Sequence, residues 1–434
     1  MAKFILRRLG LMLVTMLIVS IAVFAITEVA PGNIARNTLG VFITPEQEVS
    51  FNAQIGLYQP LYLRYVSWLI GSDWRARFHV GMPLERISDT GEAEFWEWWA
   101  VEEGGTLIRW RVQGNDLIAI RRQPDGSKVE SVDNGRWQTD KNGVTYFWGI
   151  DESNHAGKWV QGSGLEAWRL TVAAWMAVPG APSEYIPLQT GILRGDPGQS
   201  TKSGKPVADT LFRRLRNSLI LAGIAFVVIM PLALVLGLMA GLNAGKPLDR
   251  TLSIAGLVTT VTPEFCTGIF LILIFATWLK WVPGATVFVS DRAILDNPKQ
   301  LILPIATLTL IEVGYVLRIT RASMADVMRT GYIRTAILKG LPRWRVVFQH
   351  ALRNALLAPI TVIMLHVNWL LGGIVVVEVI FGYPGLGKYL LDSALFKDVF
   401  AIEAGAMVLV LLAVGTQLAA DVIYTFLNPR IRYA

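Results

Sequence analysis

The chain has 434 residues, 53% of them hydrophobic and only 17% charged, with a net charge of +7 at pH 7. Soluble domains carry nearer a quarter charged residues. Here several apolar runs reach the roughly 18 residues that suffice to cross a bilayer, and the remaining polar chain is too short to cover them as buried core helices. The composition therefore excludes a soluble globular protein, and the lone cysteine, Cys266, excludes an intramolecular disulfide or a cysteine-based metal site.

In chain order, the first run is Leu9–Val29, behind the basic start MAKFILRRLG. Its apolar part is longer than a signal-peptide core and no small-x-small cleavage site follows, so it reads as an uncleaved first membrane helix. Almost 190 residues separate it from the second run. Within them, Ile55–Gly71 reads as a turn and a short amphipathic helix. From about Asp73 to Pro187 the character changes, and ten of the fifteen tryptophans fall between Trp74 and Trp175. Thr106–Val112 and Leu117–Arg121 flank Gln113-Gly114-Asn115-Asp116, a hairpin signal. Lys128–Val132, Arg136–Thr139 and Val144–Trp148 are further strand candidates, set apart by Pro124-Asp125-Gly126, Asp133-Asn134-Gly135 and Lys141-Asn142-Gly143. A small antiparallel β-domain is expected here, with its aromatic residues mainly in its core. Gly191–Val207 is a glycine- and serine-rich loop leading back to the membrane.

Five more apolar runs follow: Ser218–Leu242, Leu252–Leu279, Leu301–Leu317, Ala355–Ile380 and Ala401–Leu427. Pro263 and Glu264 interrupt the third of the six, and the fourth is short. The sequence thus predicts an all-α polytopic membrane protein with six transmembrane helices and a β-rich extracytoplasmic insertion between helices 1 and 2. It divides into a first helix over 1–30, a lead-in over 31–72, the insertion over 73–187 and a five-helix core over 188–434. Basic residues fix the expected topology by the positive-inside bias. Lys3, Arg7 and Arg8 lie before the first run, Lys246 and Arg250 after the second, and Arg318, Arg321, Arg329, Arg334, Lys339, Arg343, Arg345 and Arg353 between the fourth and fifth. Arg430 and Arg432 lie after the sixth. With these on one side, both termini are cytoplasmic and the large segment faces outward. The positive charge reports membrane topology and gives no reason to expect nucleic acid.

No G-x-x-x-x-G-K-[ST], H-E-x-x-H or G-x-S-x-G pattern occurs, and the four histidines, His79, His155, His350 and His366, have no metal-ligand spacing. No enzyme active site, resident metal or cofactor is expected on this chain. Three carboxylates lie within apolar runs, where ionisable groups mark a pathway or a packing pair: Glu264, Glu312 and Glu378. Glu264 follows the Pro263 kink and could satisfy the backbone groups freed there. Glu312, in mid-span, could meet the amino group of a peptide. Glu378, beside the Phe381–Lys388 turn, suits a structural role better.

The segment Tyr332–Pro359, YIRTAILKGLPRWRVVFQHALRNALLAP, is the most informative. Ile333, Ala336 and Ile337 form one apolar stripe. Trp344, Val347, Phe348, Ala351 and Leu352 form another at i, i+3, i+4, i+7 and i+8, opposite Arg345, Gln349 and Arg353. Gly340 can end the first helix and Pro342 prevents its continuation. Two short helices meeting at an angle are expected, either as a lipid-binding interfacial element or, given the break and the length, as a protein-docking elbow.

Tyr332–Ala358 resembles the cytoplasmic loop of binding-protein-dependent ABC importer permeases of the dipeptide/oligopeptide class. Ile55–Leu69, Gly195–Ser200 (GDPGQS), Pro206-Val207, Leu317–Met324 (LRITRASM), Gly372–Gly387 (GGIVVVEVIFGYPGLG) and Asp421–Tyr433 are similar to that family in order and spacing. The similarity covers nearly the whole chain outside about 73–187. The family's loop motif begins Glu-Ala-Ala with a glycine four residues on; this chain has Arg334-Thr335-Ala336 and keeps Gly340. That version resembles the first of two unlike permeases, so the resemblance implies a heterodimer with a second homologous permease. It further implies two ATP-binding subunits that hold the ATP and Mg, a periplasmic solute-binding protein, and a bacterial inner-membrane location. The coupling loop falls at about 322–354, its helix at about Thr330–Leu341, with Arg334, Thr335, Ala336, Lys339, Gly340, Leu341 and Pro342 as docking residues. The implied activity is import of peptides or peptide-like solutes, or of oligosaccharides, by alternating access. A secondary transporter or channel acting without ATPase subunits is the alternative, and it would predict paired repeats, of which none is convincing.

Overall fold

The structure, a computed structural model, describes residues 2–29, 33–40, 42–80, 82–88, 96–133, 137–139, 143–150, 156–161, 166–170, 174–177, 185–287 and 297–427. Asn134-Gly135, Arg136, Lys141-Asn142, Arg430 and Arg432 lie outside these. The chain divides into two units, one of 21–209 with 393–404, the other of 2–20 and 210–392 with the chain from 405. Helix α1 (Ala2–Val29) contributes to both.

The first unit opens with three short helices, α2 (Ile34–Leu39), α3 (Pro45–Gln54) and α4 (Leu61–Ile70). Helix α3 starts in a capping box, in which Thr44 accepts from the Gln47 amide and Gln47 accepts from the Thr44 amide. In α4, the predicted amphipathic helix, Trp68 is buried against Phe24 and Tyr65. Helix α5 (Asp73–Val80) follows, and then two antiparallel meanders. The first sheet is β1 (Leu84–Ser88), β2 (Trp96–Val101), β3 (Leu107–Gln113), β4 (Asp116–Arg122) and β5 (Lys128–Val132), in that order. The second is β6 (Gln138–Thr139), β7 (Thr145–Ile150), β8 (Ala156–Gln161), β9 (Glu166–Leu170), β10 (Ala174–Ala177) and β11 (Tyr185–Pro187).

The predicted hairpin forms with Gln113 opposite Asp116 and Val112 opposite Leu117. Gly114 takes φ +64° at the first position of the two-residue turn, the conformation glycine supplies without strain. At the next turn Asp125 accepts from the Ser127 amide and hydroxyl at 2.9 and 2.6 Å, bonds that hold its carboxyl below its ordinary pKa. Trp98, Trp99, Trp110 and Trp148 are buried, whereas Trp74 and Trp137 are about half exposed. Trp110 of β3 stacks on Trp148 of β7 with ring centroids 3.8 Å apart. Trp98, Ile108, Leu117 and Ala119 belong to the same cluster, with Ala76, Ala100, Ile186 and Leu188.

The two ends of this β-region meet. Ser72 donates its amide to Gln189 O at 2.9 Å and its hydroxyl to Pro187 O, while the Gln189 amide donates back to Ser72 Oγ at 2.8 Å. Beside this stitch the backbones of Gly71 (φ +98°) and Gly191 (φ +95°) approach so closely that a Cβ on Gly191 would lie 2.3 Å from Gly71 N. The loop 195–200, GDPGQS, is held by two carboxylates. Asp196 pairs with Arg86 and accepts from Thr190 Oγ1 and the Gly198 amide. Asp398, only 2% exposed, accepts from the Ser200 hydroxyl and from the amide and hydroxyl of Thr201.

The second unit is helical. Helix α6 (Val207–Leu242) starts eleven residues ahead of the expected span and carries Pro231. Helices α7 (Pro247–Val261) and α8 (Glu264–Leu271) follow, the latter running into a π-helical stretch over Ile272–Trp278. The third expected span, Leu252–Leu279, is broken where Pro263 and Glu264 interrupt it: the chain bends by 105° between α7 and α8. Pro263 has no N–H to continue the ladder and forces Thr262 into an extended conformation (φ −72°, ψ 125°). Helix α9 (Ile302–Met328) runs eleven residues past the expected end at Leu317, so Arg318 and Arg321 lie on it and not in a loop. It crosses α7 where Gly314 meets Gly256; a Cβ on Gly314 would lie 2.1 Å from Gly256 O. Gly237 and Gly241 of α6 fit against Thr320 and Met324 in the same way.

Then come α10 (Gly331–Leu338), α11 (Arg343–Arg345), a π-helical turn over Val346–Ala351 and α12 (Leu352–Ala355). The chain ends in α13 (Leu357–Ile380), α14 (Leu386–Phe396) and α15 (Val399–Leu427), the last two running through both units. Among the described residues four helices are long and apolar enough to cross a membrane, or up to six segments if each of two bent pairs, 247–278 and 343–364, is one span.

Candidate functional site

The segment between α9 and α13 folds as the elbow its sequence predicts. Helix α10 ends in a Schellman motif. The Gly340 amide donates to Ile337 O at 2.9 Å and the Leu341 amide reaches Ala336 O at 3.4 Å, with Gly340 at φ +74°. Pro342 then starts the second arm as N-cap of α11. One face of each arm is buried with the end of α9: Ile333, Ala336, Val346, Val347, Ala351 and Ala355 close around Met324. At about 1.5–3 kcal/mol for each fully buried aliphatic side chain, this cluster anchors the elbow firmly. Asn354 Nδ2 also donates to Tyr332 Oη at 2.9 Å, tying the arms together.

The outer face is exposed and basic. No acidic residue occurs between Thr330 and Pro359, and Arg334, Thr335, Lys339, Gly340, Pro342, Arg343 and Arg345 are all exposed. Among them stand two large apolar side chains, Ile337 at 55% and Leu338 at 79% exposure. Ala336 faces inward, and Leu341 is part-buried. The second apolar stripe differs from its expected composition. Val347 and Ala351 are buried as predicted, but Val346 joins them, while Trp344 and Phe348 point outward. The π-helical turn over Val346–Ala351 widens the helix there, so a stripe counted at 3.6 residues per turn no longer falls on one face.

The three membrane carboxylates do not form one cluster. Glu378 is fully buried and accepts from the Ser218 hydroxyl and, at 3.0 Å, from the Lys388 amide. The same Ser218 Oγ accepts from the Leu386 amide, and Tyr383 Oη donates to Asn217 O. Gly385 passes so near that a Cβ there would overlap the Glu378 carboxylate. These contacts fold the 381–388 turn onto α6. Glu264 lies at N1 of α8 within electrostatic reach of Glu312. On either side of the kink the hydroxyls double existing backbone bonds: Thr262 donates both its amide and Oγ1 to Val258 O, and Thr267 both its amide and Oγ1 to Pro263 O.

Glu312 is 2% exposed on α9, with Oε2 at 2.8 Å from His366 Nδ1 of α13. The His366 ring lies 4.3 Å from that of Tyr315. Glu312 Oε1 is buried with no hydrogen-bond partner among the described residues. A sequence scan for metal ligands passes over His366, because its partner is 54 residues away. Asp249 is a second group the scan misses: it is 2% exposed and accepts from both Nε and Nη2 of Arg321, at 2.9 and 2.6 Å.

Comparison with known proteins places these features. Residues 233–433 match the family described as "Binding-protein-dependent transport system inner membrane component", and residues 1–81 match its N-terminal companion, "Binding-prot-dependent transport system membrane comp, N-term". The oligopeptide transport system permease protein AppB of Bacillus subtilis (strain 168) is 34% identical over 253 residues, 58% of this chain and 80% of that protein. The dipeptide transport system permease protein DppB of Escherichia coli (strain K12) is 32% identical over 274 residues, again 58% and 80%. A putative peptide transport system permease of Brucella abortus (strain 2308) is 34% identical over 242 residues, 55% and 76%. Residues 82–232, which include the β-sheets, lie in neither family match.

Proposed function

The chain belongs to the inner membrane components of binding-protein-dependent transport systems, the ABC peptide-importer permeases, and from that premise we propose that it is the membrane subunit through which peptides or peptide-like solutes enter the cell. The observation that carries this reading is the elbow: a rigid, basic, acid-free element with Ile337 and Leu338 presented outward and a buried base fixed to α9. Exposed apolar side chains ringed by charge are what a partner's groove needs. In this reading the segment Thr330–Leu341, which contains α10, docks on one of two ATPase subunits, which hold the ATP and Mg, and passes their rigid-body motion into the bundle as alternating access. The basic side, with both termini, is cytoplasmic. A second, unlike permease completes the pathway.

The test is affinity purification of the chain expressed with its native neighbours, followed by mass spectrometry. Recovery of a second permease and of ATPase subunits is the expected result. Recovery of the chain alone, active in liposomes without ATP, would overturn the reading.

Within the pathway, Glu312 is the carboxylate suited to a peptide's amino group, because its buried Oε1 has no hydrogen-bond partner among the described residues. A hydrogen bond to a charged group contributes about 1.5–3 kcal/mol. Glu312→Gln is therefore expected to raise the substrate concentration for half-maximal uptake about 10-fold or more. Unchanged affinity and rate would remove Glu312 from the pathway.

The β-region extends the outward face on which a solute-binding protein docks, and its juxtaposed ends at Ser72 and Gln189 support reading it as an insertion. Joining Asp73 directly to Leu188 should leave a membrane-inserted permease whose ATPase activity responds several-fold less to the binding protein. Unchanged stimulation and uptake would reject this role.

A further inference from the structure

The second arm of the elbow carries a surface that docking of α10 does not use. A groove of about 440 Å³ runs between this arm and the last two turns of α6. One wall is Val235, Leu238, Met239 and Leu242, which recur at i, i+3, i+4 and i+7 and so share one face of α6. The facing wall is Trp344 and Phe348, with Val347 between them and Arg343 at the edge. These apolar groups are open: Val235 is 53% exposed, Trp344 57% and Phe348 63%. No residue of α10 lines the groove.

We propose that this groove holds an acyl chain of an anionic phospholipid, with the headgroup at Arg343 and Arg345. Three observations identify the occupant. First, the groove is continuous with a membrane span: α6 is apolar to Leu242 and gives way at once to the polar turn Asn243-Ala244-Gly245-Lys246, which sets the groove at the bilayer boundary. Second, the charge is complementary. Arg343 lines the groove, the Arg345 guanidinium stands 5.3 Å from the centre of the Trp344 ring, and no carboxylate lines it. Basic residues at that depth attract anionic headgroups. Third, a tryptophan at the apolar–polar boundary is in its preferred place in a membrane. The elbow then divides its work, with α10 engaging protein and the second arm engaging lipid. The inference rests on α6 crossing the bilayer and not on the identity of the docked subunits.

The test uses the full complex with its native partners in nanodiscs containing either phosphatidylglycerol or phosphatidylcholine with a diazirine in the acyl chain. After irradiation, adducts are mapped by mass spectrometry. Phosphatidylglycerol adducts are expected on the peptides carrying Met239 and Trp344–Phe348, at least threefold above those of phosphatidylcholine. Excess unlabelled phosphatidylglycerol should displace them where phosphatidylcholine does not. The double substitution Arg343→Gln, Arg345→Gln should bring the two lipids level. Equal labelling by both lipids in the wild-type complex would overturn the headgroup assignment. Labelling of the other spans with none at this groove would mean that the second permease covers it.

Discussion

Replacing Gly340 by aspartate is expected to abolish ATP-driven uptake while leaving the protein in the membrane at its normal level. The reason lies in the backbone. Gly340 sits at φ +74° as the glycine of the Schellman motif that ends α10. A side chain there would meet nothing within 4 Å in this chain, so the cost is conformational: about 1–2 kcal/mol for a residue with a Cβ in the left-handed region. A negative charge at a helix C-terminus adds about 0.3–1 kcal/mol. A total near 2 kcal/mol shifts the elbow's geometry about 30-fold towards other conformers, and an added carboxylate changes the charge of a surface that has no acid. The buried cluster of Ile333, Ala336, Val346 and Ala351 around Met324 is untouched, so insertion and the helical core survive. Gly340→Ala separates the two causes, because it keeps the cost of a Cβ in the left-handed region without the charge; it should retain more of the uptake than the aspartate variant. Normal uptake by the aspartate variant, at equal abundance in the membrane fraction, would show that this helix does not transmit the motion.

What could be read in advance was local. The Gln113–Asp116 hairpin, strand β5 with its bounds at Lys128 and Val132, the α10 stop at Gly340 and the restart at Pro342 each depend on a few neighbouring residues, and each is where the sequence places it. Strands β8 to β11 were not legible, because their existence rests on register with β7 and with one another. Pro263 announced an interruption, but its 105° angle depends on how α7 lies along α9 through Gly256 and Gly314. The elbow's second stripe was misjudged because a π-helical turn is invisible to a count at 3.6. At the candidate site, three carboxylates in apolar runs were legible as unusual. Their separate fates were not, since Glu378 is decided by Ser218 and Lys388, and Glu312 by His366.

The same distance hides a group whose loss should destabilise the fold. Arg321→Ala is expected to cost about 1–3 kcal/mol, the penalty of leaving a buried acceptor short of donors, because Asp249 is buried while the Arg321 side chain is 36% exposed. Asp249 is 2% exposed near the start of α7 and has four donors. Two are Arg321 Nε and Nη2; the others are the Gly245 amide at 2.8 Å and Ser253 Oγ at 3.2 Å. Removing the guanidinium leaves a carboxylate in the membrane-facing unit with half its donors and no counter-charge. Truncating both partners should cost less than the sum of the single changes, because contacting residues couple. Lysine at 321 should recover only part of the loss, since one ammonium cannot reproduce the two-point contact. Because Arg321 stands two turns before the elbow on α9, and its carbonyl packs against Gly241 of α6, the damage falls where the elbow is anchored. Denaturant unfolding of the detergent-solubilised protein, run as a double-mutant cycle on Asp249 and Arg321, measures the effect. If Arg321→Ala stays within about 0.5 kcal/mol of wild type, the level typical of an ordinary surface change, then water or lipid headgroups satisfy Asp249 in the membrane and the pair is not the pin that holds α7 to α9.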